Sequence, residues 1–403
     1  MSSTDVQVTQ EVKQPRVAVS LIDWLRRNLF SNWLNSIITL LLLWVIVSAL
    51  VRLFDWALTE ATWTPVVKNL RLFMVGRYPG EAIWRVQVAL ALVLALFGIS
   101  GGIWGGITRK VTSGLVAATI LLAILPLSMG TRLYFVGMAV LMALGFIAGL
   151  RFPRLLRWPA IALWIISPIV IVILIGGISG LLPSVDTSLW GGLMLTLMLA
   201  VVGIVASFPI GVLLALGRRS KLPVVKGFCV AYIETIRGVP LVTVLFMASI
   251  MLPLFLPAQI RIADVVRAMV ALTLFSAAYL AENVRGGLQA VPNGQIEAAR
   301  SLGLNVFQTT TLILLPQALR MVIPAIVGQF ISLFKDTSLA VVVGLTELLG
   351  IAEVVIRQPD WLTVPGGVQR EVLLFVALIY WVFSFSMARV SYQIERRLGV
   401  GTR

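Results

Sequence analysis

The sequence of 403 residues contains no histidine and a single cysteine, Cys229. Those absences remove histidine-based acid–base catalysis, histidine-ligated zinc and any intramolecular disulfide. Charge is scarce too: Asp, Glu, Lys and Arg make up 12% of the chain, too little polar surface to cover a soluble globule. No Gly-x-x-x-x-Gly-Lys-Ser/Thr loop occurs, so the chain is not expected to bind nucleotide itself. No nucleophile and base stand at a spacing that argues for an intramembrane enzyme. Residues 1–20 hold no apolar run, so no cleavable signal peptide is expected and the first span serves as its own insertion signal.

Apolar residues are abundant, at 59% of the chain, with a mean hydropathy of +0.99. The fold class that follows is an all-α polytopic membrane protein with about ten transmembrane helices. The 32 basic residues outnumber the 17 acidic ones, a net charge of +15. In a soluble domain that balance would point to nucleic acid. Here the basic residues gather at the ends of apolar runs, which makes them markers of topology, with the lipid bilayer as partner and no nucleic acid.

Residues 1–33 read as a cytoplasmic tail, disordered to about residue 20. An amphipathic lead-in follows from Leu21 to Leu34, carrying Trp24, Arg26, Arg27 and Trp33 and suited to lying along the inner headgroups. The first span is expected at 34–53. Residues 55–84 turn polar and aromatic, with Trp56, Trp63, Tyr78 and Trp84 as an interfacial belt. Spans at about 86–104, 115–127, 134–150 and 158–175 complete an accessory region, 34–186, of about five helices. A second block, 187–398, places spans at about 189–216, 240–256 and 265–283, one starting near Val322, and one at 372–390. Threading these from a cytoplasmic N-terminus leaves every strongly basic cluster and the C-terminus inside, except Lys68, Arg71, Arg77 and Arg85, which fall outside. No internal repeat links the two blocks. The twelve tryptophans mostly flank spans and read as interface anchors, and Cys229 as a small packing residue.

Between two spans of the second block lies Glu297-Ala298-Ala299-Arg300-Ser301-Leu302-Gly303, followed by Ile313-Leu314-Leu315-Pro316. This stretch is too charged to lie in lipid. Asn293 is placed to cap a short helix, the paired alanines leave one face flat, and Gly303 supplies the left-handed residue that stops it. Asn305 and Gln308 form a second cap. The expected product, at about 292–308, is an elbow shaped to fit another protein's groove.

The spacing Glu-Ala-Ala, three residues, Gly, nine residues, Ile, one residue, Leu-Pro resembles the coupling-loop motif of ATP-binding-cassette (ABC) importer permeases at every fixed position. Segments 234–241, 278–287, 295–304 and 335–339 resemble the polar-amino-acid branch of that family. Segment 24–30 and Arg77-Tyr78-Pro79 before Trp84-Arg85 are similar to the longer of the two membrane subunits in general L-amino-acid importers of Gram-negative bacteria and cyanobacteria. The resemblance implies a type I (MetI-like) importer core in 187–398, lodged in a bacterial inner membrane. It also implies ABC ATPase subunits that bind the ATP and Mg, a second permease subunit making a heterodimer, and a periplasmic binding protein that delivers the amino acid. In this chain Glu297, Ala298, Ala299, Arg300 and Gly303 would then couple ATP hydrolysis to alternating access, with Pro316 and Pro324 letting the next helix bend. The chain itself would carry no cofactor.

Other charges have two readings each. With lipid entry near Val322, thirteen residues of about 1.5 Å rise carry Lys335 roughly 20 Å deep. Lys335 and Asp336 either form a buried salt bridge that fixes packing, or the Lys335-Asp336-Thr337-Ser338 turn lines the path and meets the amino acid's carboxylate or ammonium. Glu282 and Arg285 form an intrahelical pair, or a gate or substrate contact together with Tyr279 and Ser276. Glu234 and Arg237 share that spacing and fit a surface helix packed on the coupling loop. A different class, a self-sufficient ion-coupled carrier or channel, would use Lys335, Asp336 and Glu282 as relay and filter. It would work alone, whereas an importer subunit alone moves nothing, and the elbow favours the importer.

Overall fold

Apolar runs of this length fold as helices because a backbone in lipid can satisfy its N–H and C=O groups only within its own segment. The computed structural model describes residues 20–125, 128–178, 180–257 and 259–398; the tail expected at 1–20 lies almost wholly outside the described residues. Among the described residues there is no strand, only isolated bridges such as Gly76 with Trp190 and Gly192 with Glu347.

Residues up to Thr62 form one unit. Within it α1 (Leu21–Asn28) is amphipathic, with Trp24, Arg26 and Arg27 exposed. The next helix, α2 (Trp33–Asp55), is capped by the Asn32 side chain on the amide of Asn35 and buries none of its residues. Its apolar side chains face outward on all sides, as suits a helix surrounded by lipid or another subunit.

The second unit begins at Trp63. Short helices α3 (Thr64–Lys68) and α4 (Leu70–Val75) lead into four antiparallel helices, α5 (Ile83–Trp104), α6 (Gly106–Ile124), α7 (Met129–Arg151) and α8 (Pro153–Gly176). Glycines let α5 and α7 touch backbone to backbone: a Cβ on Gly102 would fall 2.3 Å from the Phe146 carbonyl oxygen, and one on Gly149 2.4 Å from that of Ile99. Close approach through small residues is the usual adhesive between helices in lipid.

The remainder comprises α9 (Gly192–Arg218), α10 (Pro223–Gly238), α11 (Leu241–Phe246), α12 (Leu252–Phe255), α13 (Asp264–Ala290), α14 (Asn293–Ser301), α15 (Val306–Gln308), α16 (Leu315–Asp336), α17 (Leu348–Ile356) and α18 (Gln369–Leu398). α13 lies at the centre, with Ala277, Ala278, Leu280, Ala281 and Val284 fully buried between α9 and α16. Nine helices of the described residues are long and apolar enough to cross a membrane. A further apolar pair is bent: α10 and the α11–α12 helix meet at 108°, where Val239 and Pro240 interrupt the helix, so the span expected at 240–256 is one limb of a bend, either a broken span or a re-entrant loop. The helix expected to start near Val322 is continuous from Val306 to Val343. A π-helical turn at Thr309–Leu314 precedes Pro316, so the proline's missing N–H and ring are absorbed without a break.

The two ends of α9 define the two ends of the unit, about 40 Å apart for 27 residues. At its start Gly192 donates to the Thr346 carbonyl (2.9 Å) and bridges Glu347. At its finish Arg219 donates to the Leu288 carbonyl (3.1 Å), just ahead of α14. The alternation of α5 to α8 brings Arg109, Lys110, Arg151, Arg154 and Arg157 to this second, elbow end, and α18 brings Arg396 beside Gly106 there.

Lys68, Arg71 and Arg85, three of the four residues of the basic cluster expected outside, are used in packing. Arg85 is 3% exposed and donates to the Pro183 carbonyl (2.9 Å), Arg71 donates to the Tyr78 carbonyl (3.1 Å), and Lys68 stands over the Trp361 ring. Tyr78 is not a belt residue: it is buried, with its hydroxyl donating to the Ile175 carbonyl. Trp190 and Trp361 are buried as well, so interface anchoring does not account for them. The polar segment before α5 folds back because Phe73 finds a fully buried place among Leu348, Ile351, Trp361 and Val372, and Asn69 and Gln358 exchange side-chain hydrogen bonds.

Candidate functional site: an exposed elbow, an ionic hub and a lysine-lined hollow

The elbow is fixed by local bonds. α14 starts after Pro292, whose φ of −59° is already helical; Asn293 is the first residue inside the helix and makes no cap, contrary to the expectation from sequence. The helix stops where Gly303 adopts φ +77°, with the Gly303 amide bonding the Arg300 carbonyl and the Leu304 amide that of Ala299. Asn305 and Gln308 then close a reciprocal capping box. Glu297, Ala298 and Arg300 are exposed, as are Leu302, Val306 and Phe307, while Ala299 is buried. Ala299 seats the elbow on the core with Ile296 packed beside it, and Glu297, Ala298 and Arg300 stand exposed.

A few turns back along α13, Glu282 is the hub of an ionic network. Arg285 donates to it through two nitrogens, and Arg218 (3.5 Å) and Arg237 (3.7 Å) also pair with it. Arg218 in turn pairs with Glu234 (2.8 Å), and Arg237 lies over the Tyr279 ring. The two i,i+3 pairs seen in sequence are thus one cluster joining α9, α10 and α13; Glu234 bonds Arg218, not Arg237. The helix carrying them packs on α9 and α13 rather than on the elbow, because its apolar face, with Ile233 and Cys229, turns toward those helices. Cys229 is a packing residue, close against Gly217. Ser276 is fully buried, while Tyr279 is half-buried.

Lys335 and Asp336 make no ion pair with one another among the described residues. Neighbouring residues on a helix point about 100° apart, which turns the two charges to different faces. Lys335 and Ser338 line a hollow of about 310 Å³ with Leu349, Leu373, Val376, Ala377 and Tyr380. Its depth follows from packing: Leu333 touches Gly203, which lies eleven residues or roughly 16 Å into α9. Leu349 lies two residues past Glu347, which bridges Gly192, so the hollow reaches from that depth toward the start of α9, and Lys335 is exposed on it among mostly apolar side chains. Thr337 is buried and bonds the Phe334 carbonyl, and the Ser338 hydroxyl bonds that of Lys335, as α16 tightens into the 3-10 turn Thr337–Val343.

The sequence reading missed Glu347. Its carboxylate is fully buried and accepts from the amides of Leu349 (2.8 Å) and Gly350 (2.9 Å), the Tyr380 hydroxyl (2.9 Å) and the Thr196 hydroxyl (3.4 Å). It caps α17 and fixes Tyr380 at the wall of the hollow. Glu347 lies outside the long membrane helices, and burial pushes its carboxyl up to about 7 against the opposing pull of its four donors. The available signal was a lone acid between the apolar runs 339–345 and 348–352. Arg218, read from sequence only as a topology marker, was likewise missed.

Among the described residues, nine helices able to cross a membrane and one bent apolar pair carry a polar elbow and a lysine-lined hollow, and comparison supplies the class of protein. Residues 207–400 match the family described as binding-protein-dependent transport system inner membrane component. The chain is 39% identical over 394 residues to the inner membrane amino-acid ABC transporter permease protein YhdY of Escherichia coli (strain K12), covering 94% of this chain and 93% of that protein. It therefore belongs to the amino-acid ABC transporter permeases and is a multi-pass inner-membrane transport subunit. Similarity extends over 99% of both chains, at 37% identity, to the glutamate/glutamine/aspartate/asparagine transport system permease protein BztC of Rhodobacter capsulatus. A crystal structure of an amino acid ABC transporter with histidines is 31% identical, covering 51% of this chain and 92% of that chain with a TM-score of 0.45.

Proposed function

We propose that this permease takes up amino acids delivered by a periplasmic binding protein, by alternating access driven from outside the chain. Two ABC ATPase subunits bind ATP and Mg and grip the elbow at Glu297, Ala298, Ala299, Arg300 and Gly303, and a second permease subunit completes the pathway. The elbow end is cytoplasmic, as are both termini, because the strongly basic clusters collect there. Residues 187–398 form the transport core, and 34–186 are an accessory region that steadies it.

The observation that carries this reading is the continuity between elbow and hollow. The capping box starts a helix that runs unbroken from Val306 past Lys335, about 43 Å for 29 residues. A sideways push on α14 thus reaches the hollow through a rigid rod. There Lys335 meets the amino acid's carboxylate, with Ser338 and Tyr380 beside it, while Glu282 with Arg218, Arg237 and Arg285 gates the elbow side. Replacing Gly303 with leucine forces a β-carbon into a left-handed position, with no neighbour within 4 Å to blur the effect. The assembled complex carrying Gly303→Leu or a bulky residue at Glu297 should assemble but lose amino-acid-stimulated ATP hydrolysis; unchanged stimulation overturns the coupling role. The chain reconstituted alone should move nothing, and gradient-driven uptake by it would establish a carrier instead.

A further inference from the structure

At the elbow end a second hollow, of about 180 Å³, opens between the first turn of α6 and the last turns of α18, lined by Gly106, Ile107, Lys110, Gln393 and Arg396. It lies on the seam between the accessory helices and the last core helix. Lys110 and Arg396 are exposed, and neither pairs with a carboxylate among the described residues. Glu395, the acid nearest in sequence, accepts from the Ser391 hydroxyl (2.9 Å). Arg396 rests on the Tyr392 ring, which orients it without neutralising it. Gln393 adds an amide. α6 also starts without a side-chain cap, after two glycines at φ +59° and +52°, so its first-turn amides have no acceptor in the helix. Lys110 is the fifth residue of α6, roughly 6 Å from its start, which is headgroup depth.

Two cations, an amide and a helix start, with no acid facing them, match the chemistry of a phosphate group. We propose that this hollow binds the phosphate of an anionic phospholipid headgroup, which ties the accessory helices to the core where the protein's own contacts are thin. The predicted test is native mass spectrometry of the purified full-length protein titrated with phosphatidylglycerol, with phosphatidylcholine and with inorganic phosphate. Wild type should retain phosphatidylglycerol over phosphatidylcholine. Lys110→Gln/Arg396→Gln should bind it roughly thirtyfold more weakly, from two headgroup cations lost. Arg154→Gln/Arg157→Gln, equal in charge loss at the same end but outside the hollow, should keep wild-type binding. Equal weakening in both double variants, or none in either, overturns the site. Phosphate that displaces the lipid supports it, whereas phosphate binding where no lipid is retained replaces the lipid with a free anion and overturns the lipid assignment. If the double variant does not assemble, Lys110→Gln alone should weaken lipid binding about fivefold, and an unchanged affinity overturns the proposal.

Discussion

Replacing Glu347 with alanine tests whether one buried carboxylate holds the wall of the hollow that Lys335 lines. The change removes the cap of α17 and leaves four donors, the amides of Leu349 and Gly350 and the hydroxyls of Tyr380 and Thr196, without that acceptor. At the lower end of about 1 kcal/mol for each stranded group, the cost is about 4 kcal/mol. The pH sets how much of it is seen. The carboxyl stands at about 7 in the folded protein against an ordinary value of 4.5, so the folded state holds a proton that the unfolded chain releases. Its contribution is fully present below about pH 4.5 and is lost as pH rises through about 7, a fall of about 3 kcal/mol across the window. Glu347→Ala should therefore be less stable than wild type by about 4 kcal/mol near pH 5 and by about 1 kcal/mol above pH 8. Glu347→Gln, which cannot titrate, should show a flat profile. Unfolding in mixed lipid–detergent micelles, followed by near-ultraviolet circular dichroism, reads these differences. A cost under about 1 kcal/mol near pH 5, or one that does not shrink on raising the pH, would refute the account.

Three other substitutions probe the rest. Lys335→Met should raise the substrate concentration for half-maximal uptake by roughly tenfold to a hundredfold, the worth of a hydrogen bond to a charged group, while the basal ATPase rate of the complex is unchanged; unaltered uptake removes Lys335 from the path. Glu282→Gln leaves Arg218, Arg237 and Arg285 facing one another; with Glu282 about a quarter exposed, the cost should be about 1–2 kcal/mol, part of it recovered in Glu282→Gln/Arg237→Gln, and strict additivity in that cycle would show the residues independent. Gly102→Leu drives a side chain into the Phe146 carbonyl and should destabilise the α5–α7 pair by about 1–3 kcal/mol, whereas Gly137→Ala, which meets nothing within 4 Å, should be silent in the same thermal-melt assay.

Much of this protein was legible in the chain because it is set by short-range chemistry. Long apolar runs force helices and limit their number, and the elbow is closed by the left-handed Gly303 and the Asn305–Gln308 capping box, so residues a few positions apart specified it, although the cap expected from Asn293 does not form. The π turn ahead of Pro316 and the break at Pro240 were less visible: a proline announces a disturbance without saying whether the helix absorbs it or turns by 108°.

The sequence by itself determined a polytopic helical membrane protein with a protruding polar elbow, since hydropathy, basic clusters and turn residues each act within a turn or a span, and the elbow's motif carried the resemblance to permeases. The tertiary structure alone decided which charges meet. Glu234 stood three residues from Arg237 yet bonds Arg218, Lys335 was adjacent to Asp336 yet makes no ion pair with it among the described residues, and Glu347 found Thr196 at a separation of 151 residues. In lipid a charge must be satisfied by whatever the packing brings near, and packing is decided by where glycines such as Gly203 and Gly211 let whole helices close together, a long-range outcome that local spacing does not encode.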